Sequence, residues 1–449
     1  MTGGAARKLA EYGSLPEAAV AQGRLPLPDA DLTLGNGLRV VVCSAPVVPL
    51  VEIRLTVPYA ATAPGEVAHC QLLAELLLRG TAHRSADGHD AAPAEHGATL
   101  EASADARKLT VTGHVMADGL SAVLAALAEA VGGPQPTEEA LAPERERLAR
   151  RIRLATHQPA ALAQHALLRR RYGEQRAARW QPTPEQAAAC TRDDLARLRA
   201  LHLGARGAVL VLVGDLEPEE AVDMAAESLG SWEPGPEGDV PEVPPWFPGG
   251  PLQQVDRPGA VQSVIRLAAP ALPRTDPGYP ALHLAQLVFG GSFASRLVTR
   301  LREDKGYAYQ LGSGVESVPG ASTLMVEADT AAEHTVAALA VIREELERMA
   351  ADPPSVREID AVRRYATGST ATAMSSPAAL ASGLANLLHV GVGADWLHNW
   401  GPLLDGVTHH QVGEAARRFF QPAGFTGVVV ADGTAVVPLR RGTTGELNF

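Results

Sequence analysis

The sequence predicts an α+β protein made of two homologous halves, and three observations carry that prediction. Short segments alternate apolar and polar residues while others place apolar residues at helical spacing, in an order that mixes hairpins with helices. A stretch with seven prolines, Ser231 to Pro251, cuts the chain near its middle. Segments before the cut recur after it at a near-constant distance, which marks a duplicated domain. At 449 residues the chain also exceeds the roughly 250 to 300 at which a single core stops growing.

Each half opens on strands. "GLRVVVCSAP" and "LVEIRLTVP" carry branched residues at period two, which suits a sheet with a covered face. The helix "HCQLLAELLLRG", His69 to Gly80, follows. After the cut, "SVIRLAAP" and the helix "YPALHLAQLVFGG" repeat the plan: Arg54 matches Arg266, a shift of 266 − 54 = 212, and Leu124 matches Leu339, a shift of 339 − 124 = 215. The first half closes with Thr191 as a helix N-cap, the apolar strand "AVLVLVGDL" and the helix "PEEAVDMAAESLG". "THHQVGEAARRFFQPAGFTGVVVAD" closes the second in parallel, with Thr408 at a helix start.

Composition narrows the function. A net charge of −12 disfavours a nucleic-acid binder, which shows a basic face. No eighteen apolar residues follow one another and the N-terminus has no apolar core of signal length, so neither a membrane span nor an export signal is expected. Cys43, Cys70 and Cys190 lie far apart without a CxxC pair, so no disulfide framework is expected and the cytoplasm is the simplest location.

Four segments in order, "LTLGNGLRVVV", "LLLRGTAHR", "VLVLVGDL" and "GGSFASRLVTRLREDKGYAY", resemble the insulinase/pitrilysin family of zinc metallopeptidases, whose fold is shared with the mitochondrial processing peptidase. The resemblance covers nearly the whole chain. It implies two processing-peptidase-like domains in a clam-like arrangement, residues 1–230 and 252–449, joined by a linker at 231–251.

Active members carry HxxEH on the helix before the Gly-Thr pair: two His one turn apart hold zinc, and the Glu serves as general base. Those roles fall here on Gln71, Glu75 and Ala74. A neutral amide is a poor ligand, a methyl takes no proton, and only Glu75 retains a ligating group. The relatives' third ligand, an acid in a Glu-Glu-Ile stretch, falls on Arg151 within Arg150, Arg151 and Ile152, where a guanidinium repels a cation. His69 has Leu72 and Leu73 at its helical-face offsets and Cys70 has Ala74, so both read as helix-start and packing residues. No metal is expected in this chain.

The second half keeps "LREDKGYAY", in which Arg302 and Tyr309 match the Arg and Tyr that relatives use to bind the substrate carbonyl and stabilise developing negative charge. The competing expectation pairs Arg302 with Glu303 and half-buries Tyr309 in a strand. Gly290 and Gly291, in "VFGGSFASRL", lack a P-loop ending and are expected to bound the substrate chamber by permitting close backbone approach. Glu101 and Ala102 replace the relatives' Asn-Ala on the strand to which a peptide adds, so they are candidate substrate contacts, with a solvated Glu101 as the alternative. His409 and His410 are adjacent and do not face one ligand. The lone His of "ADGHD", Ala86 to Asp90, is expected to be solvated.

Together these features imply a non-catalytic, peptide-binding subunit of a two-chain peptidase, in a heterodimer or larger assembly whose zinc-bearing paralogue supplies the metal and base. Two other readings stay open: a scaffold like the core subunits of respiratory complexes, and an enzyme using His69, Cys70 and Glu75 in displaced metal or thiol chemistry.

Overall fold

The structure is a computed structural model and describes residues 25–78, 97–133, 136–236, 245, 247, 249, 251–441, 446, 447 and 449. "ADGHD" and the helix exit after Leu78 lie outside the described residues, as does part of the linker.

The first half runs β1 (Ala30–Thr33), β2 (Arg39–Ser44), β3 (Leu50–Pro58), α1 (Glu66–Leu77), β4 (Thr99–Ala104), β5 (Lys108–Met116), α2 (Leu120–Gly132), α3 (Glu138–Thr156), α4 (Pro159–Tyr172), α5 (Glu174–Trp180), α6 (Pro184–Ala189), α7 (Arg192–His202), β6 (Val209–Gly214) and α8 (Pro218–Leu229). The second runs β7 (Leu252–Asp256), β8 (Gln262–Pro270), α9 (Tyr279–Gln286), β9 (Ala308–Val318), β10 (Ala321–Ala331), α10 (Thr335–Ala351), α11 (Val356–Ala373), α12 (Pro377–His389), α13 (Trp396–Asp405), α14 (His409–Phe419), β11 (Thr426–Ala431), β12 (Arg440–Arg441) and β13 (Glu446–Leu447). Wide helical turns at Leu287–Gly291 and Thr299–Asp304 lie between α9 and β9.

The duplication is visible in the sheets. The first has the order β1-β2-β6-β3-β5-β4 and the second β12-β13-β7-β11-β8-β10-β9, so the order β2-β6-β3-β5-β4 is matched by β7-β11-β8-β10-β9. Even the one parallel pairing recurs: β2 with β6, and β7 with β11. Arg54 stands opposite Val211 and Thr112; Arg266 stands opposite Val428 and Glu327. The apolar strands "VLVLVG" and "TGVVVA" are buried along their whole length because each lies inside its sheet.

Local signals set the helix starts. Thr191 accepts from Asp194 N while the Asp194 carboxylate accepts from Thr191 N, and Thr408 with Gln411 forms the same reciprocal cap. Helix α1 starts three residues earlier than the apolar pattern suggests, and its first residue, Glu66, ties down the chain that enters it, accepting from Thr62 N at 2.6 Å and Ala63 N at 3.1 Å.

Each sheet packs its own helices on one face and a helix from the other half on the opposite face. Leu380, Leu384 and Leu388 of α12 lie on Val41, Val209, Val211 and Val213 of the first sheet. Reciprocally, Ala163, Ala166 and Leu167 of α4 lie on Val264, Ala268, Val428 and Val430 of the second. Polar ties fasten both exchanges: Arg54 donates to Ser382 Oγ at 2.9 Å, and Arg171, only 2% exposed, pairs with Glu316 at 3.3 Å and donates to Thr323 Oγ1. A cavity of about 530 Å³ lies where Lys108 of the first half meets Arg274, His283, His389, Trp396 and Trp400 of the second. Burial, aided by Arg274, lowers the His283 pKa to about 4. Burial likewise lowers His389 to about 4, with Lys108 and Arg107 assisting and Asp105 opposing.

Candidate functional site

Helix α1 packs on α3, and their contact decides what the ancestral metal positions can do. Arg151 Nη1 donates to Glu75 Oε1 at 2.8 Å. The only carboxylate left among the ligand positions is thus neutralised by a guanidinium that keeps its charge at any working pH. Ala74 is 1% exposed, so a methyl fills the space where a general base would stand. Gln71 is half-buried, and its amide Oε1 has no hydrogen-bond partner among the described residues. Arg150 turns away to Glu146 at 3.5 Å, and Ile152 is buried in the core. These residues do not fit a catalytic zinc: a cation would have to displace Arg151 and would find one carboxylate and an amide.

Cys70 is 1% exposed within the first-half core, as its packing reading expects. His69 is half-buried, and its Nε2 lies 3.2 Å from the Gln186 carbonyl oxygen. His409 contacts the Pro354 carbonyl at 2.8 Å while His410 faces Glu414 at 3.5 Å, so the two adjacent rings do point apart.

Arg302 and Tyr309 line one cavity of about 740 Å³. Arg302 comes from the wide turn Thr299–Asp304, whose loose pitch carries the chain into β9, and Tyr309 is the second residue of that strand. Arg302 Nε donates to Glu303 Oε1 at 2.7 Å, and its guanidinium lies 5.8 Å from the Phe293 ring centroid. Tyr309 is 86% exposed instead of half-buried, because β9 is an edge strand and the residue projects from its end. Both side chains therefore present donors to open space.

The cavity also contains Arg266, Glu327 and Asp329, which sequence reasoning did not select as site residues. Arg266 Nη1 donates to Asp329 Oδ1 at 2.8 Å. Its equivalent Arg54 is spent on the exchanged helix α12, so one ancestral arginine position locks a fold and the other lines a cavity. The usable signal was a charge inside an otherwise apolar central strand, "SVIRLAAP".

Gly290 and Gly291 allow close approach, but the cavity lining does not include them. A Cβ on Gly290 would lie 2.9 Å from Ser313 Oγ and one on Gly291 would clash with the Gln286 side chain. Gln286 in turn donates to Ser313 O at 2.6 Å, so the paired glycines let α9 fasten to β9.

Glu101 and Ala102 lie on β4, the edge strand equivalent to β9. Glu101 is exposed, opposite Thr112; Ala102, opposite Val111, turns toward the core. Among the described residues β4 pairs with β5 alone, which leaves its outer row of backbone groups for a further strand. The structure does not bring these residues into the Arg302–Tyr309 cavity, whose lining comes entirely from the second half.

Comparison with known proteins agrees with this geometry. Residues 64–183 match the family described as Insulinase (Peptidase family M16), and residues 189–365 match the Peptidase M16 inactive domain, together well over half of the chain. An uncharacterized zinc protease of Rickettsia bellii is 24% identical over 328 residues, 71% of this chain and 77% of that protein. The crystal structure of a peptidase M16 inactive domain from Pseudomonas fluorescens superposes with a TM-score of 0.82 at 22% identity, over 91% of this chain and 98% of that one. A chain of complex III2 from Candida albicans superposes with a TM-score of 0.75 at 15% identity, over 93% and 98%. By its sequence matches and its doubled fold, with an Arg–Glu pair where a metal motif would stand, this chain belongs to the insulinase (M16) peptidase family as a non-catalytic member.

Proposed function

We propose that the chain is the non-catalytic, substrate-binding subunit of a two-chain zinc peptidase. A paralogue with an intact HxxEH motif supplies the metal and the base, and this chain completes the chamber and holds the peptide. The observation that carries the reading is that Arg302 and the exposed Tyr309 line one open cavity at a strand edge that is unpaired among the described residues. A peptide laid against such an edge gains main-chain hydrogen bonds, and a guanidinium with a phenol hydroxyl are donors of the kind that stabilise a carbonyl oxygen acquiring charge. The hydrolytic zinc belongs to the partner. The chain works in the cytoplasm in this reading; no described helix is long and apolar enough to cross a membrane.

Co-expression with a zinc-bearing relative tests this directly. The expected result is a complex of both chains by native mass measurement, with peptidase activity that Arg302→Ala or Tyr309→Phe lowers roughly 100-fold without dissolving the complex. Absence of a complex, or full turnover in both variants, overturns the reading. A scaffold role is the second reading, favoured by the Arg302–Glu303 pair and by the likeness to a complex III2 chain. A complex whose activity ignores both substitutions selects it.

A further inference from the structure

Away from the ancestral metal positions, the fold brings a histidine, a cysteine and an aspartate together from separate segments. His69 stands in the first turn of α1, Cys190 closes α6 and Asp194 belongs to the first turn of α7. A ring nitrogen of His69, Cys190 Sγ and a carboxylate oxygen of Asp194 lie within 4.8 Å of one another. Gln71, Ala74 and Glu75 contribute nothing to this group.

The hydrogen bonds show which His69 atom is available. The Gln186 carbonyl can only accept, so Nε2, at 3.2 Å, carries a proton, and Nδ1 is the ring atom left to offer a lone pair to a ligand. That Nδ1 is buried and has no hydrogen-bond partner among the described residues, a costly state for a polar atom inside a protein. A backbone carbonyl on the far nitrogen is also what fixes the ring of a metal-bound histidine. Cys190 is 1% exposed, and among the described residues its thiol has only the Thr191 carbonyl, at a long 3.7 Å. Its segment is fixed from outside, since Arg145 Nε donates to the Cys190 carbonyl at 2.5 Å. Asp194 is oriented by Thr191, whose N and Oγ1 donate to Oδ2 at 3.0 and 2.7 Å, while Arg197 pairs with Oδ1 at 3.3 Å, a longer contact than the 2.8 Å Arg151–Glu75 pair and one that an ion bound at Oδ1 displaces.

We propose that His69, Cys190 and Asp194 bind a zinc-class divalent cation that clamps α1 to the α6–α7 junction. Mixed nitrogen, sulfur and oxygen donors suit a borderline-soft ion, and solvent takes the fourth tetrahedral position beside the half-buried His69 and Asp194. Bond lengths of about 2.0 to 2.3 Å place the ligand atoms roughly 3.3 to 3.8 Å apart, so the side chains draw in by about 1 Å on binding. The Cys190 thiol releases one proton to solvent as the sulfur–metal bond forms, and the thiolate and carboxylate together balance the ion's two positive charges. The expectation of a metal-free chain then holds for the ancestral positions alone. This site is structural, so it stands or falls separately from the two-chain reading.

Titrating the chelator-stripped full chain with cobalt(II) tests it without a peptide or a partner. The expected result is a thiolate-to-cobalt charge-transfer band that saturates at one equivalent and is displaced by zinc. Cys190→Ser abolishes the band, and His69→Gln weakens zinc binding about tenfold or more. Cys70→Ser and Glu75→Gln retain both band and affinity. Absence of the band in the unaltered chain overturns the proposal, as does its survival in Cys190→Ser or its loss in Glu75→Gln. Circular dichroism of each variant confirms that it is folded; His69→Gln supplies the ligand test if Cys190→Ser is not.

Discussion

Arg151 and Glu75, 76 residues apart, meet at 2.8 Å with side chains 52% and 29% exposed. A pair so open to water contributes about 0 to 1 kcal/mol, so its consequence is chemical rather than structural. Arg151→Ala is expected to shift the urea midpoint by the equivalent of less than about 1 kcal/mol. Restoring Gln71→His and Glu75→His without changing Arg151 should yield no zinc binding at those positions by isothermal titration in a Cys190→Ser background, because the guanidinium still faces the ligands. That Glu75 and Arg151 both stand at metal positions was readable in the chain because a helix spaces its side chains rigidly and the family resemblance placed the second helix; that they pair with each other came only from the packing of α1 on α3. The His69 group was not, because Cys190 is brought to His69 by tertiary packing that no periodicity encodes.

At the scale of elements, the exchanged helices hold the halves together. Leu384 is 1% exposed between α12 and the first sheet, and Leu384→Ala is expected to cost about 2 to 5 kcal/mol in chemical unfolding. Arg171 closes α4 with its guanidinium buried; Arg171→Ala should cost about 2 to 4 kcal/mol because it strands the Thr323 hydroxyl and empties a packed volume. Strands and helices were legible from period-two and helical patterns, and the matching strand orders from the repeated segments. The exchange was hidden: an apolar helix face states that it must be covered, but not by which sheet. The same limit applies to Tyr309, since sequence alternation marks a strand without marking that strand as an edge.

Over the whole molecule, acid should act on the seam between the halves. His283 and His389 have folded pKa values near 4 against an ordinary 6.5, chiefly through burial. Below pH 6.5 the unfolded chain takes up protons that the folded chain refuses, so this contribution is complete above pH 6.5 and is lost as pH falls toward 4. Thermal midpoints should fall through that window, and His283→Leu should flatten the slope. An unchanged slope in that variant would remove His283 from the account.

The reciprocal crossing of α4 and α12 also bears on how the polypeptide is born. Translation completes the first sheet at Gly214, but the helix that shields its second surface begins at Pro377, 377 − 214 = 163 residues later. At about 5 to 20 residues per second the ribosome leaves Val41, Val209, Val211 and Val213 without their lid for roughly 8 to 33 seconds. Nascent chains stalled inside that interval should be rich in bound chaperone, and release of a fragment ending at residue 236 should give aggregates where the complete chain stays in solution.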